Sequence, residues 1–144
     1  MKLNIRSASE ADEPAVVALW HACGLVVTYN NPQTDFRLAR AKTNSDVLVG
    51  TAADGTIVGS VMVGHDGHRG WLYYVAVALE CRKQGIGRSM VQAAEDWLSR
   101  HGIAKAQLMV RETNAEVVAF YEQLGFQNIP RTVMQKWLRT EASD

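Results

Sequence analysis

The sequence predicts an α/β fold, a mixed central β-sheet flanked by helices in the order βααβββαβαβ. Three observations carry that prediction. Residues 46–67 read as a β-hairpin around an Ala-Asp-Gly turn, and "WLYYVAVA" from Trp71 to Ala78 is strongly β-prone. Directly after a glycine-bearing loop, Ile86, Met90, Val91, Ala94, Trp97 and Leu98 recur at helical spacing. The chain has 144 residues, 47% of them hydrophobic, enough to bury a core as one domain over residues 1–144.

In chain order, "LNIRSA" is a short first strand. Ser9 to Asp12, "SEAD", resembles a capping box with Asp in the Glu position, and Pro14 suits a first helical turn. Val16, Leu19, Trp20 and Cys23 then keep helical spacing, with Trp20 expected in the core. "GLVVTYNNPQTD" reads as irregular, broken at Asn-Asn-Pro, and "FRLARAKTN" as a second short helix. The hairpin and the third long strand follow. Gly102 stands where the next helix would stop. "AKAQLMVR" reads as a strand, and "TNAE" from Thr113 to Glu116 as a capping box. It opens a helix carrying Val117, Phe120, Tyr121 and Leu124, closed by Gly125. "RTVMQKWLR" is the expected last strand.

Lys plus Arg and Asp plus Glu number 15 each, so the formal net charge is zero. A nucleic-acid or membrane-surface binder needs a basic excess, and neither partner is expected. Cys23 and Cys81 make neither a disulfide framework nor a metal set. The opening "MKLNIRSASEADEP" lacks the apolar core of a secretory leader, and no apolar run reaches membrane-spanning length. The expectation is a cytoplasmic protein.

The chemistry concentrates in "VALECRKQGIGRSM", Val77 to Met90. A strand enters this loop and a helix leaves it. The first N–H groups of a helix have no internal partners, and its dipole adds positive potential, so such an end binds phosphate. Gly85 and Gly87 let a ligand approach the backbone. Arg82, Lys83 and Arg88 gather positive charge at the same point. These residues also make an ordinary glycine turn with solvated bases beside it. Among phosphate patterns, the nucleotide loop G-x-x-x-x-G-K-[ST] is absent. The dinucleotide pattern lacks its third glycine, since Met90 stands there, although Glu112 lies where a ribose-binding acid could sit. The pattern [QR]-x-x-G-x-[GA] is matched in full by "RKQGIG", Arg82 to Gly87.

With those residues in view the chain resembles the GNAT superfamily of N-acetyltransferases over nearly its whole length. "YYVAVALECRKQGIGRSMV" is similar to the family's acetyl-CoA pyrophosphate motif with its preceding strand. "NAEVVAFYEQLGF" is similar to its later helix, and "NIRSASEADEPAVVALW" to its opening. "LWHACGL", "YNNP" and "GHDGHRG" resemble, more narrowly, small bacterial acetyltransferases of the YpeA type. The resemblance implies a GNAT fold and acetyl-CoA as cosubstrate without a metal. It implies acetyl transfer to a primary amine by direct attack in a ternary complex. The acceptor is a small-molecule or peptide amine, and a homodimer is common in the family.

The roles carry over by matched position. The backbone N–H groups of Arg82, Lys83, Gln84, Gly85, Ile86, Gly87 and Arg88 hold the pyrophosphate. Backbone groups of Val75 and Val77 pair with the peptide-like pantetheine arm. The N–H of Val75 is the candidate donor to the thioester oxygen. Asn114 contacts the arm or simply caps the last helix. Tyr121 is the candidate acid for the leaving thiolate, against core packing beside Phe120. Where relatives carry a catalytic glutamate this chain has Tyr73 and Met109. The base is therefore sought among His65, Asp66, His68 and Glu112, although "GHDGHRG" is also a good turn. Tyr29, Asn30, Asn31, Asp35, Asp66 and Tyr73 are the candidate acceptor-site residues; the first four also suit an ordinary surface loop. Three rivals stay open. One is a protein or peptide acetyltransferase acting on an N-terminus or lysine. The second is a CoA-binding regulatory module without turnover, and the third, less closely, a nucleotide-cofactor binder.

Overall fold

The computed structural model describes residues 2–139. Strand β1 (Asn4–Ser7) leads into a 3-10 turn at Glu10–Asp12 and then helix α1 (Glu13–Ala22). The capping box at Ser9 forms. The Ser9 N–H donates to Asp12 Oδ2 at 2.7 Å, and Arg6 Nη1 reaches the same oxygen at 2.6 Å. The hydrogen bond from Arg6, supported by those from Ser9, holds the Asp12 carboxyl down at about 2. A depressed carboxyl stabilises the fold at pH values above its ordinary 3.8 and loses that contribution as pH falls toward 2. Thermal melts of the protein and of Asp12→Asn, taken between pH 5 and about pH 2, are expected to differ most at the upper end and to converge at the lower.

Helix α2 spans Pro32–Ala39, earlier than the "FRLARAKTN" expected from the sequence. The Asn-Asn-Pro stretch is the start signal rather than a breaker. The Asn31 side chain accepts the Thr34 N–H at 3.0 Å and Pro32 takes the first turn, where its missing N–H costs nothing. Strands β2 (Ser45–Thr51), β3 (Ile57–His65) and β4 (Gly70–Val77) then form an antiparallel meander, with β1 antiparallel on the outer edge of β2. Helix α3 (Ile86–Arg100) leads to β5 (Ala106–Gln107), which pairs parallel with β4, and α4 (Ala115–Gln123) follows. The sheet order is β1-β2-β3-β4-β5.

Helix α3 lies close against the sheet because the strands beneath it carry glycine. A Cβ on Gly59 would stand 2.9 Å from Ile86 and 3.1 Å from Met90. Val47, Val49, Val61, Val63, Met90 and Val91 are fully or almost fully buried in this core, with Trp20 and Phe36 from the first two helices. Apolar burial of this kind is the main favourable term in folding.

Two expected strands change. "AKAQLMVR" pairs only at Ala106 and Gln107 before diverging from β4. "RTVMQKWLR" forms no strand among the described residues: β5 is too short to offer a ladder. Val133 is 65%, Met134 89% and Leu138 92% exposed, so no sheet face is covered there. Among the described residues no helix is long and apolar enough to cross a membrane. No three His, Cys, Asp or Glu side chains gather among them as a metal site would.

Candidate active site

The site begins where β5 leaves β4. The parallel ladder covers only Gly70 and Trp71, so the rest of the β4 edge has no strand beside it on that side. Which backbone groups face this gap follows from the pleat. Ala78 donates its N–H to Val58 O on β3 at 2.8 Å. Strand residues point alternately to either side, so Val77 directs its N–H and C=O away from β3, and Val75 does the same.

A bulge sets that direction upstream. The β3–β4 register shifts between Ser60 and Met62, and Tyr74 takes a left-handed conformation, φ +52°. For an aromatic residue this is a strained geometry that its surroundings must fix. Trp20 stacks on the Tyr74 ring at 3.8 Å. Ser60 Oγ donates to the Tyr74 carbonyl at 3.0 Å, and the Trp20 indole N–H donates to Ser60 Oγ at 2.9 Å. The Tyr74 hydroxyl donates to Asp35 Oδ2 at 2.7 Å. Burial first, then Asp35, raises the Tyr74 pKa, so the hydroxyl stays a donor. Ser60 is wholly buried. Leaving its two partners unsatisfied costs roughly 1–3 kcal/mol.

The glycine loop closes the other side of the gap. A 3-10 turn at Leu79–Cys81 leads to Lys83 and Gly85, both left-handed at φ +65° and +79°, and Gly85 is the N-cap of α3. Successive turns of this kind line up backbone N–H groups as an anion-binding concavity. Arg82, Lys83, Gln84, Gly85 and Arg88 are exposed around it. Ile86 is different: its side chain is buried against the sheet, so only its backbone can face a ligand. Arg82 folds back, with Nε donating to Val77 O at 3.3 Å and Nη2 lying 3.5 Å from Cys23 Sγ. The Cys23 thiol also donates to Val77 O, at 3.2 Å.

Helix α4 supplies the far wall. Asn114 is its N-cap, accepting the Val117 N–H at 3.4 Å; this is the capping role, and it replaces the box expected from Thr113. Gly87 sits beneath Phe120, whose Cζ would be 3.2 Å from an added Cβ, with Val77 Cγ2 at 3.6 Å. Tyr121 packs edge-on against Phe120 and Phe126 at 5.0 and 5.6 Å. Burial alone pushes its phenol up to about 12, so it carries its proton across the neutral range. Its hydroxyl forms no hydrogen bond among the described residues.

The residues expected at an acceptor site lie apart in the structure. Asn30 and Asp35 both reach the Tyr74 hydroxyl. Asn31 spends its side-chain oxygen on capping α2. Tyr29 meets Trp137 edge-on at 6.1 Å. Tyr73, 42% exposed, lies beside Trp71. Tyr74 was the member the sequence reading missed. A serine buried in the apolar strand "GSVMV" was the available signal, because a buried hydroxyl needs partners.

His65 does not join the site. His65 pairs with Gly70 at the opposite end of β4, about 16 Å from Val75 at ordinary strand rise. Its Nδ1 accepts the Gly67 N–H at 3.1 Å. Asp66 accepts the Arg69 and His68 N–H groups at 2.8 and 2.9 Å, which lower its pKa. Both side chains shape the β3–β4 turn; distance from Val75 sets His65 aside as base, while Asp66 lies close enough to Tyr73 for its charge, after burial, to raise that phenol. His68 lies in the same turn. Glu112 is exposed, on the stretch that runs from β5 to the start of α4. A separate groove of about 670 Å³ lies between β1 and the outer side of α3, lined by Arg6, Gln92, Asp96 and Arg100. It shares Arg88 with the loop but does not reach β4.

The sheet thus parts at one strand, beside a helix start whose backbone N–H groups suit an anion. The chain belongs to the acetyltransferase (GNAT) family: the family model matches residues 10–126. It is 35% identical over 136 residues to acetyltransferase ECA0875 of Pectobacterium atrosepticum, covering 94% of this chain and 96% of that one. Among solved structures it is similar to the ribosomal-protein-S18-alanine N-acetyltransferase of Escherichia coli. There the TM-score is 0.77 at 23% identity, over 90% of this chain and 80% of that one. It is also similar to AAC(6')-Iy in complex with the bisubstrate analog CoA-S-monomethyl-acetylneamine. That match has a TM-score of 0.81 at 14% identity, over 95% and 99% of the two chains. At these identities the two structures speak for the fold alone.

Proposed function

We propose that the protein transfers the acetyl group of acetyl-CoA to a primary amine, most suitably a small cationic one. The observation that carries this is the parting of β4 and β5 directly beneath the start of α3. An unpaired strand edge suits an extended amide-bearing arm, and a row of N–H groups suits a pyrophosphate. The pyrophosphate lies on the backbone from Arg82 to Arg88, and the pantetheine arm along Val75 and Val77. Asn114, its side chain already engaged as a cap, borders the arm.

In the transfer step the free amine attacks the thioester carbonyl carbon. A C–N bond forms as the C–S bond breaks. Charge on the carbonyl oxygen meets the Val75 N–H. The departing thiolate takes the Tyr121 proton. The amine must first lose a proton from its ammonium form, and Glu112, directly or through water, is the base this reading retains. Asp35, which shares the Tyr74 hydroxyl with Asn30, gives the acceptor pocket its negative group. A cationic amine fits that charge.

Calorimetric titration with acetyl-CoA, CoA, NAD and ATP, followed by thiol release on a panel of amines and peptides, tests the reading. Micromolar binding of acetyl-CoA and CoA alone, with turnover on diamines or other cationic amines, is the expected result. Failure of the folded protein to bind acetyl-CoA overturns it. Tight binding with no turnover on any acceptor favours a regulatory CoA-binding module instead.

A further inference from the structure

Ser60, Trp20, Tyr74 and Asp35 form one connected chain of contacts that the general resemblance does not require. Its geometry acts on a single peptide unit. The Tyr74 carbonyl and the Val75 N–H belong to the same planar peptide, which is trans, so they point in opposite directions. Ser60 Oγ holds that carbonyl at 3.0 Å on the β3 side. The Val75 N–H is thereby aimed away from β3, into the gap between β4 and β5. Rotation of this peptide would need Tyr74 to leave its left-handed conformation. The ring stack on Trp20 at 3.8 Å and the hydroxyl contact to Asp35 at 2.7 Å fix the Tyr74 Cα, and with it the bulge from which this peptide leaves.

We infer that Ser60 and Tyr74 are positioning residues that fix the Val75 N–H as the donor to the thioester oxygen, with Trp20 and Asp35 holding them in place. The inference rests on the acetyl-CoA reading above. It also links the acceptor side to the reacting carbonyl, because Asp35 belongs to α2 while the donor belongs to β4. A donor preorganised in this way contributes where charge develops, and adds little to binding of the rest of the cosubstrate.

The test needs no knowledge of the acceptor. Acetyl-CoA labelled with carbon-13 at the carbonyl is bound to wild type, Ser60→Ala and Tyr74→Phe, and the carbonyl stretch is read by difference infrared spectroscopy. Affinity is measured by calorimetry and folding by thermal melts. In wild type the stretch is expected at lower frequency than in free acetyl-CoA, as a hydrogen bond to the oxygen requires. Ser60→Ala is expected to lose most of that shift and Tyr74→Phe part of it, with affinity within about twofold of wild type. An unchanged stretch in folded variants that bind normally overturns the inference and leaves the acetyl-CoA reading intact, as does an unshifted stretch in wild type. No binding by wild type defeats the acetyl-CoA reading itself, and this inference with it. Ser60→Ala leaves two buried groups unpaired and could unfold. Tyr74→Phe keeps the ring and its stack, and decides the matter in that event. Loss of fold or of binding in Tyr74→Phe overturns the inference, by placing the contacts in stability or in the binding wall.

Discussion

Replacing Tyr121 by Phe is expected to slow acetyl transfer roughly 100- to 1,000-fold while acetyl-CoA affinity stays within about twofold, the range of a lost general acid. The substitution removes one oxygen and keeps the ring that packs against Phe120 and Phe126. The hydroxyl has no other work among the described residues, so its loss should leave the melting temperature at neutral pH nearly unchanged. Its pKa, raised from 10 to about 12 by burial, means the proton is in place throughout the working range. A thiolate forming in the same partly buried surroundings has its own proton affinity raised by the same desolvation. The sign of the pH effect follows. Below about pH 10 folded and unfolded states both hold this proton. Between 10 and about 12 only the unfolded state releases it, so stability falls over that window in wild type and that contribution vanishes in the Phe variant. Steady-state kinetics beside melts from pH 7 to 11 separate the two effects. A Phe variant with unimpaired kcat would return Tyr121 to a packing role.

The second large effect is expected at Gly87. Gly87→Trp should weaken acetyl-CoA binding by about 100-fold or more, close to 3 kcal/mol. The direction of the missing Cβ explains the size. It points at Phe120 and Val77, so an indole there must push apart α4 and the end of β4, the two walls of the gap. Gly87→Ala is the graded control: its methyl would approach Phe120 Cζ at 3.2 Å, a contact that a small ring movement relieves. Calorimetry on both variants, with circular dichroism to confirm folding, reads the result. Wild-type affinity in a folded Gly87→Trp protein would remove the loop from the cosubstrate site.

Much of this was legible in the sequence because it rests on local periodicity and on one spaced motif. The β2–β4 meander, the apolar face of α3 and the loop from Arg82 to Gly87 all stand where their patterns put them. What was not legible depends on partners distant in the chain. The same Asn-Pro pair can break a helix or begin one, and only the chain around Asn31 decides. "RTVMQKWLR" has the composition of a strand but no neighbour to pair with, since strand propensity is largely a measure of packing against one. Glu112 and His65 looked equivalent as bases until the register put His65 beside Gly70, far along β4 from Val75, while Glu112 fell on the unpaired stretch after β5. The left-handed Tyr74 has no sequence signature, because that conformation is normally announced by glycine or asparagine.

The short pairing of β5 with β4 has a consequence for the protein's behaviour in a crowded solution. A strand edge with free N–H and C=O groups is ordinarily a template on which a second copy can polymerise, and proteins hide such edges at the rim of a sheet. Here β5 covers only Gly70 and Trp71 of that edge, so protection of the remainder against a second copy has to come from whatever occupies it.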